Sequence, residues 1–153
     1  KELTLKNGFD IKNSNILSEI QNTESVSIHI RRGDYVALNY NIQDSLSYYY
    51  QAIEIISKKI KSPTYFIFSD DIGWVKENLK INGQVIYVNN NEEYQAAKDM
   101  LLMSHCKVNI IANSTFSWWS AWLNTNTDKI VIAPKEWIPT LQSNLLLEEW
   151  IKL

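Results

Sequence analysis

Short apolar runs alternate with segments of helical periodicity along the whole 153-residue chain. Each run is shorter than a typical helix and is bounded by polar or turn-forming residues, as expected of strands. Strands that alternate with helices form a parallel sheet with helices on both faces, and right-handed crossovers limit its topology. The sequence therefore predicts an α/β fold, a Rossmann-like, doubly wound parallel sheet of about five strands in the order 3-2-1-4-5. The predicted strands are residues 25–30, 65–68, 85–88, 108–112 and 129–133.

Apolar residues at helical spacing predict helices between these strands. The buried stripe of the fourth helix is expected to include Tyr94 and Leu102. The expected N-terminal caps of the first three helices are Asn13, Ser14 or Asn15, then Asp44, then Ser69 or Asp70. The predicted helices are residues 11–20, 44–60, 72–79, 92–106, a segment after Ser114, and 144–151.

Charge and composition exclude several classes of protein. A formal net charge of -2 argues against general nucleic-acid binding, which needs a basic surface. Cys106 is the single cysteine, so an internal disulfide is ruled out and a reducing compartment is favoured. No apolar run is long enough to cross a bilayer and no signal peptide is visible, so we expect a cytoplasmic protein, with peripheral membrane attachment left open. The chain begins at Lys1 rather than methionine, and we expect it to be a fragment of a longer protein.

Polar clusters follow four of the predicted strands, at the point where each strand ends. They are residues 31–34, 69–71, 89–91 and 113–117. In open parallel sheets, ligands bind at the carboxyl ends of the strands, beside the point where the strand order reverses. With the predicted order, that point lies between the first and fourth strands. The loop that begins at Arg31 is therefore expected to lie beside the loop that contains Ser114.

Two adjacent arginines at the end of the first strand indicate a phosphate-bearing ligand. A guanidinium binds phosphate oxygens in pairs and keeps its charge, and Gly33 lets the chain turn sharply after Arg31 and Arg32. Asp34 is expected to hold one arginine in place. A structural cluster of ion pairs at a strand end explains the same residues equally well. Across the cleft, Ser114 and Thr115 begin a helix, where amides and hydroxyls bind anions, so the two sides together form a candidate diphosphate clamp.

Other common sites are not supported by the residue pattern. No Gly-x-Gly-x-x-Gly turn and no Gly-Lys-Ser/Thr loop follows any strand, which argues against dinucleotide and P-loop binding. Adjacent Asp70 and Asp71 are better suited to capping a helix than to holding a metal ion. His29 lies within a strand, and His105 beside Cys106 lies within an apolar helix, so both are expected to be core or supporting residues rather than metal ligands. We therefore predict no metal site, and an inert, buried thiol.

Three tryptophans, Trp118, Trp119 and Trp122, follow Ser114 on the predicted aromatic helix. Residues four apart share a helix face, so the first and last are neighbours while the middle one is turned away. We expect these side chains to pack in the core and hold the helix N-terminus against the sheet. The alternative is that one of them lines a sugar pocket.

These segments resemble a known family. Residues 29–35, which read His-x-Arg-Arg-Gly-Asp-Tyr, and residues 113–119, which read Asn-Ser-Thr-Phe-Ser-Trp-Trp, are similar to α-1,2-fucosyltransferases of glycosyltransferase family 11. Residues 66–71, 99–104 and 132–135 continue the resemblance, which covers nearly the whole chain from Ser25 onward. Two departures are visible: Val108 stands where the family usually has histidine, and Ser120 where it often has glycine.

The resemblance implies an inverting transferase that moves L-fucose from GDP-L-fucose to a hydroxyl of a galactoside acceptor, with no metal or other cofactor. It also implies one donor-binding domain over residues 1–153, the C-terminal lobe of a GT-B-like enzyme whose N-terminal lobe binds the glycan acceptor. Two alternatives stay open. One is a GDP-sugar-binding module without catalysis, and the other is a metal-dependent phosphohydrolase that uses Asp70 and Asp71.

Residue roles follow from the same resemblance. Arg31 would stabilise the charge that develops on the leaving β-phosphate, and Asp34 is the second catalytic candidate. The base that deprotonates the acceptor is left open among Asp34, Asp70, Asp71 and a residue of the other lobe. Asp99 would accept from guanine, while Phe116 would flank the base. The implied donor-binding residues are His29, Arg31, Arg32, Asp99, Asn113, Ser114, Thr115 and Phe116.

Overall fold

A computed structural model describes residues 4–5, 8–33, 46–137 and 145–153. Six parallel strands form one sheet in the order β3-β2-β1-β4-β5-β6. This order confirms the predicted Rossmann-like topology and extends it by one strand. The strands are β1 Ser25–Ile30, β2 Thr64–Ser69, β3 Gln84–Val88, β4 Val108–Ile110, β5 Ile130–Ala133 and β6 Ile151–Lys152.

The helix predicted over residues 144–151 is wrong in the part that the structure describes. Residues 145–150 form turns, and Ile151 pairs with Ile132 in a sixth strand beside β5. The backbone of Leu153 continues this pairing by donating to Ala133 at 3.0 Å. An unpaired edge of β5 accepts this short strand, and burial of Trp150 secures the turn that precedes it.

In the described parts of the chain, five α-helices cover the two faces of the sheet. The second and third pack on one face, whereas the first, fourth and fifth pack on the other. The fourth follows a short 3₁₀ turn, Glu93–Gln95, which interrupts the single helix predicted over residues 92–106 and leaves Tyr94 84% exposed instead of buried. The helices are α1 Ile11–Gln21, α2 Ser47–Lys59, α3 Ile72–Asn78, α4 Ala96–Ser104 and α5 Thr115–Leu123.

The caps of two helices differ from the predicted ones. Asp10 caps α1 by accepting a 3.0 Å hydrogen bond from the backbone N–H of Asn13. Asp71 caps α3 through the backbone N–H of Trp74, also at 3.0 Å, in place of Ser69 or Asp70. In both helices the cap is an aspartate three residues before the backbone N–H that donates to it, so the predicted cap residues are wrong. Asp44 lies outside the described residues.

Two tyrosines on α2 hold the carboxyl ends of the central strands in place. The Tyr49 hydroxyl donates to the carbonyl of His29 at 3.1 Å, and the Tyr48 hydroxyl lies 2.7 Å from the carbonyl of Ile111 and 3.0 Å from that of Ile132. Both side chains are buried in the core on this face of the sheet. The strand ends that carry the polar clusters are therefore rigidly supported from below.

Candidate functional site

A cleft of about 890 Å³ opens where β1, β2, β3 and β4 end. This volume lies within the range of pockets that hold a nucleotide-sized ligand. Six of the predicted site residues line it, and the described part of Arg31's loop forms one wall. The lining residues are His29, Arg31, Phe68, Ser69, Asp70, Val88, Asn89, Asn91, Glu92, Ala96, Asp99, Ser114, Thr115 and Phe116.

Arg31 is held at the cleft wall by a carboxylate from the neighbouring strand. Its guanidinium lies 2.8 Å from Oδ2 of Asp70, and the Oδ1 atom of the same aspartate accepts from the backbone N–H of Arg32 at 2.9 Å. The pairing of Ile30 with Ser69 in adjacent parallel strands brings the next residues of both strands together. Asp70 thus has the arginine-holding role that was predicted for Asp34, which lies outside the described residues.

Gly33 is required because the Asp70 carboxylate comes close to its backbone. A Cβ atom at this position would lie 2.6 Å from Oδ2 of Asp70 and 3.8 Å from the guanidinium carbon of Arg31. Real Cβ atoms essentially never approach an oxygen so closely. The glycine therefore makes room for the Asp70–Arg31 ion pair, whereas its φ is not positive and the sharp turn predicted for it would continue outside the described residues.

Arg32 points away from the cleft. Its guanidinium carbon lies 3.6 Å from the ring centroid of Trp74, and its Nε atom lies 3.4 Å from Oδ2 of Asp71. These contacts fasten the end of β1 to the start of α3. The two explanations of the arginine pair, ligand binding and a structural ion-pair cluster, thus each apply to one arginine. Arg32 belongs to a structural cluster, while Arg31 lines the cleft.

The N-terminus of α5 lines the same cleft as Arg31. Ser114 is the N-cap, but its hydroxyl makes no capping hydrogen bond, and the first-turn N–H groups of a helix have no acceptor within the helix. Ser114 and Thr115 both line the cleft, in the position of an anion-binding helix end. Asn113 is buried and donates to the carbonyl of Trp137 at 3.2 Å, so it shapes the turn and does not line the cleft.

His29 lies at the floor of the cleft beside Phe116. The two rings are 5.3 Å apart between centroids. Burial, with a contribution from the Arg31 charge, lowers the pKa of His29 to about 3, so the imidazole is neutral at physiological pH. Among the described residues its buried Nδ1 atom has no hydrogen-bond partner. A buried, neutral ring nitrogen of this kind is suited to a polar group of a bound ligand.

Asp99 lies in the first turn of α4, at the other end of the cleft. Burial raises its pKa to about 6, and a 2.6 Å hydrogen bond from Nδ2 of Asn91 to Oδ1 opposes this rise. A carboxyl group with a raised pKa in a cleft is a marker of a functional position. Asn91 also lines the cleft, and the sequence identified it only as one of three asparagines after a strand.

The sequence thus does not reveal the roles of two residues of the site. Asp70 was considered as a cap, a metal ligand or a base, but not as the partner of Arg31. The strand register could have indicated this pair, because predicted adjacent strands end at the same edge. Asn91 had no such signal, since its partner Asp99 lies on a helix whose orientation the sequence does not specify.

Of the three tryptophans of α5, Trp118 packs half-buried against the core as predicted, whereas the other two do not. Trp119 is 43% exposed and Trp122 is 36% exposed, so neither is a core residue, and the cleft lining contains none of the three. Trp118 and Trp122 do share a face, with nearly parallel rings 6.4 Å apart, but Trp119 contacts both of them edge-on. Trp118 is the most embedded, since its indole N–H donates to the carbonyl of Leu145 at 2.7 Å.

Cys106 is fully buried and its pKa is raised by that burial, which confirms the expected inert thiol.

Comparison with known proteins decides the family. The pattern described as glycosyl transferase family 11 matches residues 6–153. The chain belongs to glycosyl transferase family 11. It is therefore related to glycosyltransferases over almost its whole length.

Family 11 relatives carry several different names. The chain is 42% identical over 138 residues to the O-antigen biosynthesis glycosyltransferase WbnK of Escherichia coli, covering 87% of this chain and 46% of WbnK. It is 38% identical to an alpha-1,2-colitosyltransferase of Escherichia coli, covering 88% of this chain and 49% of that protein. It is 31% identical to galactoside alpha-(1,2)-fucosyltransferase 2 of Sus scrofa, covering 64% of this chain and 30% of that protein. The chain thus spans about half the length, or less, of these relatives.

Two structural features are absent from the described ranges. No helix there is both long enough and apolar enough to cross a membrane. Across the same ranges, no three His, Cys, Asp or Glu side chains come together as a metal site would require. The positive charge described in the cleft comes from Arg31 and the helix end of α5.

Proposed function

We propose that this chain is the donor-binding lobe of an inverting α-1,2-fucosyltransferase, which transfers L-fucose from GDP-L-fucose to a hydroxyl of a galactoside. One observation carries the proposal: Arg31, held by Asp70, and the N-terminus of α5 line the same cleft of about 890 Å³. Acceptor binding would fall to a second lobe, consistent with the greater length of the relatives. Family membership and the name of the fucosyltransferase relative support the reaction type.

In the proposed reaction, the acceptor hydroxyl oxygen attacks the anomeric carbon of fucose from the face opposite GDP. The bond from that carbon to the β-phosphate oxygen breaks, so the configuration inverts and GDP leaves with a new negative charge. Arg31 is placed to stabilise this charge as it develops, and Ser114 and Thr115 offer hydroxyls and amides to the phosphate oxygens. Because the ion pair with Asp70 fixes the guanidinium beforehand, little reorganisation is needed during the step.

The other end of the cleft would recognise the guanine base. Guanine presents a ring N–H and an amino group side by side, and an ionised Asp99 can accept from both. Phe116 would flank the base, and the unpartnered nitrogen of His29 would bind another polar group of the donor. This assignment places the diphosphate near Arg31 and the base near Asp99, in the same cleft.

Catalysis is proposed to need no metal ion, since the guanidinium of Arg31 and the helix end supply positive charge where the leaving group develops its charge. The proton of the acceptor hydroxyl must pass to a base, and Asp34 is our candidate. Asp70 is less suitable, because it is engaged by Arg31 at 2.8 Å and by the Arg32 backbone. A phosphohydrolase that uses Asp70 and Asp71 is disfavoured for the same reason, since Asp71 caps α3.

The relative that carries the name colitosyltransferase favours a second candidate sugar, because it is 38% identical to this chain whereas the fucosyltransferase is 31% identical. Colitose lacks the 3-hydroxyl of fucose. A site that hydrogen-bonds this hydroxyl rejects the sugar that lacks it, whereas a site without such a contact accepts both. The comparison of the two GDP-sugars therefore determines which donor is used.

The test is a transfer assay with GDP-L-fucose and GDP-colitose, a galactoside acceptor, and the full natural protein that contains this chain. We expect release of GDP together with an α-1,2-linked product. Binding of GDP without any transfer by the full protein would favour the non-catalytic module. Hydrolysis of phosphate esters that depends on magnesium would favour the phosphohydrolase.

A further inference from the structure

Asn13 is a buried amide on α1, a helix that contributes no residue to the cleft lining. Only 1% of its surface is exposed, although the surrounding helix is weakly amphipathic and mostly polar. A buried amide costs stability unless its donors and acceptors are paired. The partners of Asn13 lead step by step from the start of α1 to Asp99 in the cleft.

The first step fixes the direction of the Asn13 amide. Its Nδ2 atom lies 2.9 Å and 3.1 Å from the two carboxylate oxygens of Asp10. Lys98 of α4 donates to Asp10 at 2.6 Å and is the main reason that the pKa of Asp10 lies well below its usual range. Asp10 is therefore ionised and can only accept, so the amino group of Asn13 must face it.

The orientation of the Asn13 amide in turn fixes the orientation of the Asn91 amide. Nδ2 of Asn13 donates to Oδ1 of Asn91 at 2.8 Å, and Nδ2 of Asn91 donates back to Oδ1 of Asn13 at 3.0 Å. This paired arrangement leaves the second hydrogen on the Asn91 amino group for Oδ1 of Asp99, at 2.6 Å. If Asn91 turned its oxygen toward Asp99, it would lose these bonds and place two acceptors face to face.

We propose that Asn13 is a positioning residue of the base subsite, which acts through Asn91 to hold the Asp99 carboxylate ionised and aimed into the cleft. The inference rests on the proposed function, in which Asp99 accepts from guanine. It adds a residue on α1, outside the strand-end loops and the cleft lining. It also predicts that donor affinity depends on pH in a way that Asn13 and Asn91 control.

Most charged and titratable groups around Asp99 are paired or neutral, so the asparagines are expected to control its protonation. On α1 and α4, Asp10 and Lys98 neutralise each other. Glu92 lines the same cleft before α4, His29 of β1 is neutral, and Arg31 is paired with Asp70. Burial raises the pKa of Asp99 and the Asn91 hydrogen bond lowers it, so loss of that bond raises the pKa further.

Protonation of Asp99 would weaken binding of guanine, because the added O–H would face the ring N–H and amino donors. GDP affinity is therefore expected to fall as the pH decreases through about 6. When Asn91 or Asn13 is removed, this midpoint should move upward by about one pH unit, so GDP affinity should fall about twofold at pH 7 and about tenfold well below pH 6.

The experiment is calorimetric titration of the full chain with GDP across this pH range, in parallel with inorganic pyrophosphate, which has no base. The variants are Asn13→Ala, Asn91→Ala and the double variant. Asn22→Ala is the matched control, since Asn22 is an exposed asparagine at the other end of α1 whose side chain donates to the carbonyl of Ser18. We expect both single variants to show weaker GDP binding and the raised midpoint, while pyrophosphate binding and the control stay unchanged.

The double variant tests whether Asn13 acts through Asn91. If it does, the double variant loses no more GDP affinity than Asn91→Ala alone. Normal GDP affinity and an unmoved midpoint in Asn91→Ala, or equal losses of GDP and pyrophosphate, would overturn the inference. If Asn13→Ala does not fold, Asn13→Ser takes its place, and Asn91→Ala still measures the midpoint. Failure of the unmodified chain to bind GDP would instead reject the proposed function.

Discussion

The two ends of the cleft are built in different ways. At the proposed phosphate end, Arg31, Asp70 and Ser114 all follow strands that lie side by side, and each belongs to a short motif. At the proposed base end, Asn13, Asn91 and Asp99 come from a helix, a loop and another helix, and Asn13 and Asn91 are 78 residues apart in sequence. The phosphate end depends on charge at a sheet edge, whereas the base end depends on a relay of amides.

This difference suggests different responses to mutation. A charge that acts directly on the leaving group affects the rate of transfer, whereas a relay that orients a carboxylate affects affinity and its pH dependence. Mutations at the two ends are therefore expected to separate effects on rate from effects on affinity.

Arg31→Ala is expected to lower the rate of transfer about a hundred- to thousandfold without unfolding the chain. Loss of one contact to a developing oxyanion costs about 3–4 kcal/mol in comparable sites. The measurement is the transfer rate, with thermal melting as a check of the fold. The adjacent Arg32→Ala is the matched comparison, and it should lower stability instead, since Arg32 stacks on Trp74. Near-normal turnover of Arg31→Ala would remove this residue from the leaving-group site.

Asp99→Asn is expected to weaken GDP binding about a hundredfold, because the amide offers a donor where guanine needs an acceptor. The same change should stabilise the fold at neutral pH by up to about 3 kcal/mol, the free energy that corresponds to a rise of the pKa from 3.8 to about 6. Between those two pH values the folded chain binds more protons than the unfolded chain. The contribution of Asp99 to stability therefore decreases as the pH rises through this window.

Thermal melting of the unmodified chain and Asp99→Asn, at several pH values, measures this effect. The difference in stability should be small below pH 3.8 and largest above about pH 6. A variant that is equally stable or less stable at neutral pH would show that Asp99 is not strained by burial. Retained GDP affinity would place the base elsewhere.

Gly33→Ala is expected to lower transfer about tenfold, since the new Cβ would lie 2.6 Å from Oδ2 of Asp70 and displace the carboxylate that holds Arg31. Rates of the single variant and of Gly33→Ala combined with Asp70→Ala measure the coupling. If the glycine acts by making room for Asp70, the second change should add little further loss. Gly73→Ala is the control, because the nearest atom to its added Cβ lies 3.8 Å away. Independent, additive losses would contradict this account of Gly33.

Chelation of metal ions is expected to leave the rate of transfer unchanged. Transfer measured in excess EDTA should equal transfer without it, since Arg31 and the end of α5 are proposed to supply the positive charge. A rate that falls in EDTA and returns with added magnesium or manganese would show that the phosphate end needs a metal ion.

Parts of the fold that depend on local sequence pattern could be predicted, and parts that depend on distant contacts could not. The two ends of the cleft differ in the same way. The strand order 3-2-1-4-5 was predicted correctly because each strand is an apolar run that alternates with a helical segment, and right-handed crossovers limit the order. The sixth strand, Ile151–Lys152, is too short to show any period, and its position is decided by the open edge of β5. Local pattern thus reveals long elements, while short ones depend on tertiary contacts.

The candidate site shows the same limit. Arg31, Ser114 and Thr115 line the cleft as their positions at strand ends suggested, whereas Arg32, which looks identical in sequence, turns toward Trp74. Neighbouring residues at a strand end point in opposite directions, so the pattern alone does not tell which one faces the ligand. The Asn13–Asn91–Asp99 relay was not predicted because it depends on the packing of α1 against α4.

The most direct test of the central claim is calorimetric titration of the unmodified chain with GDP and with ADP near neutral pH. The account predicts one GDP bound per chain and far weaker binding of ADP, since adenine has a ring acceptor where guanine has the N–H that Asp99 would bind. Equal affinity for the two nucleotides, or no binding of GDP, would contradict the assignment of this cleft as a GDP-sugar site.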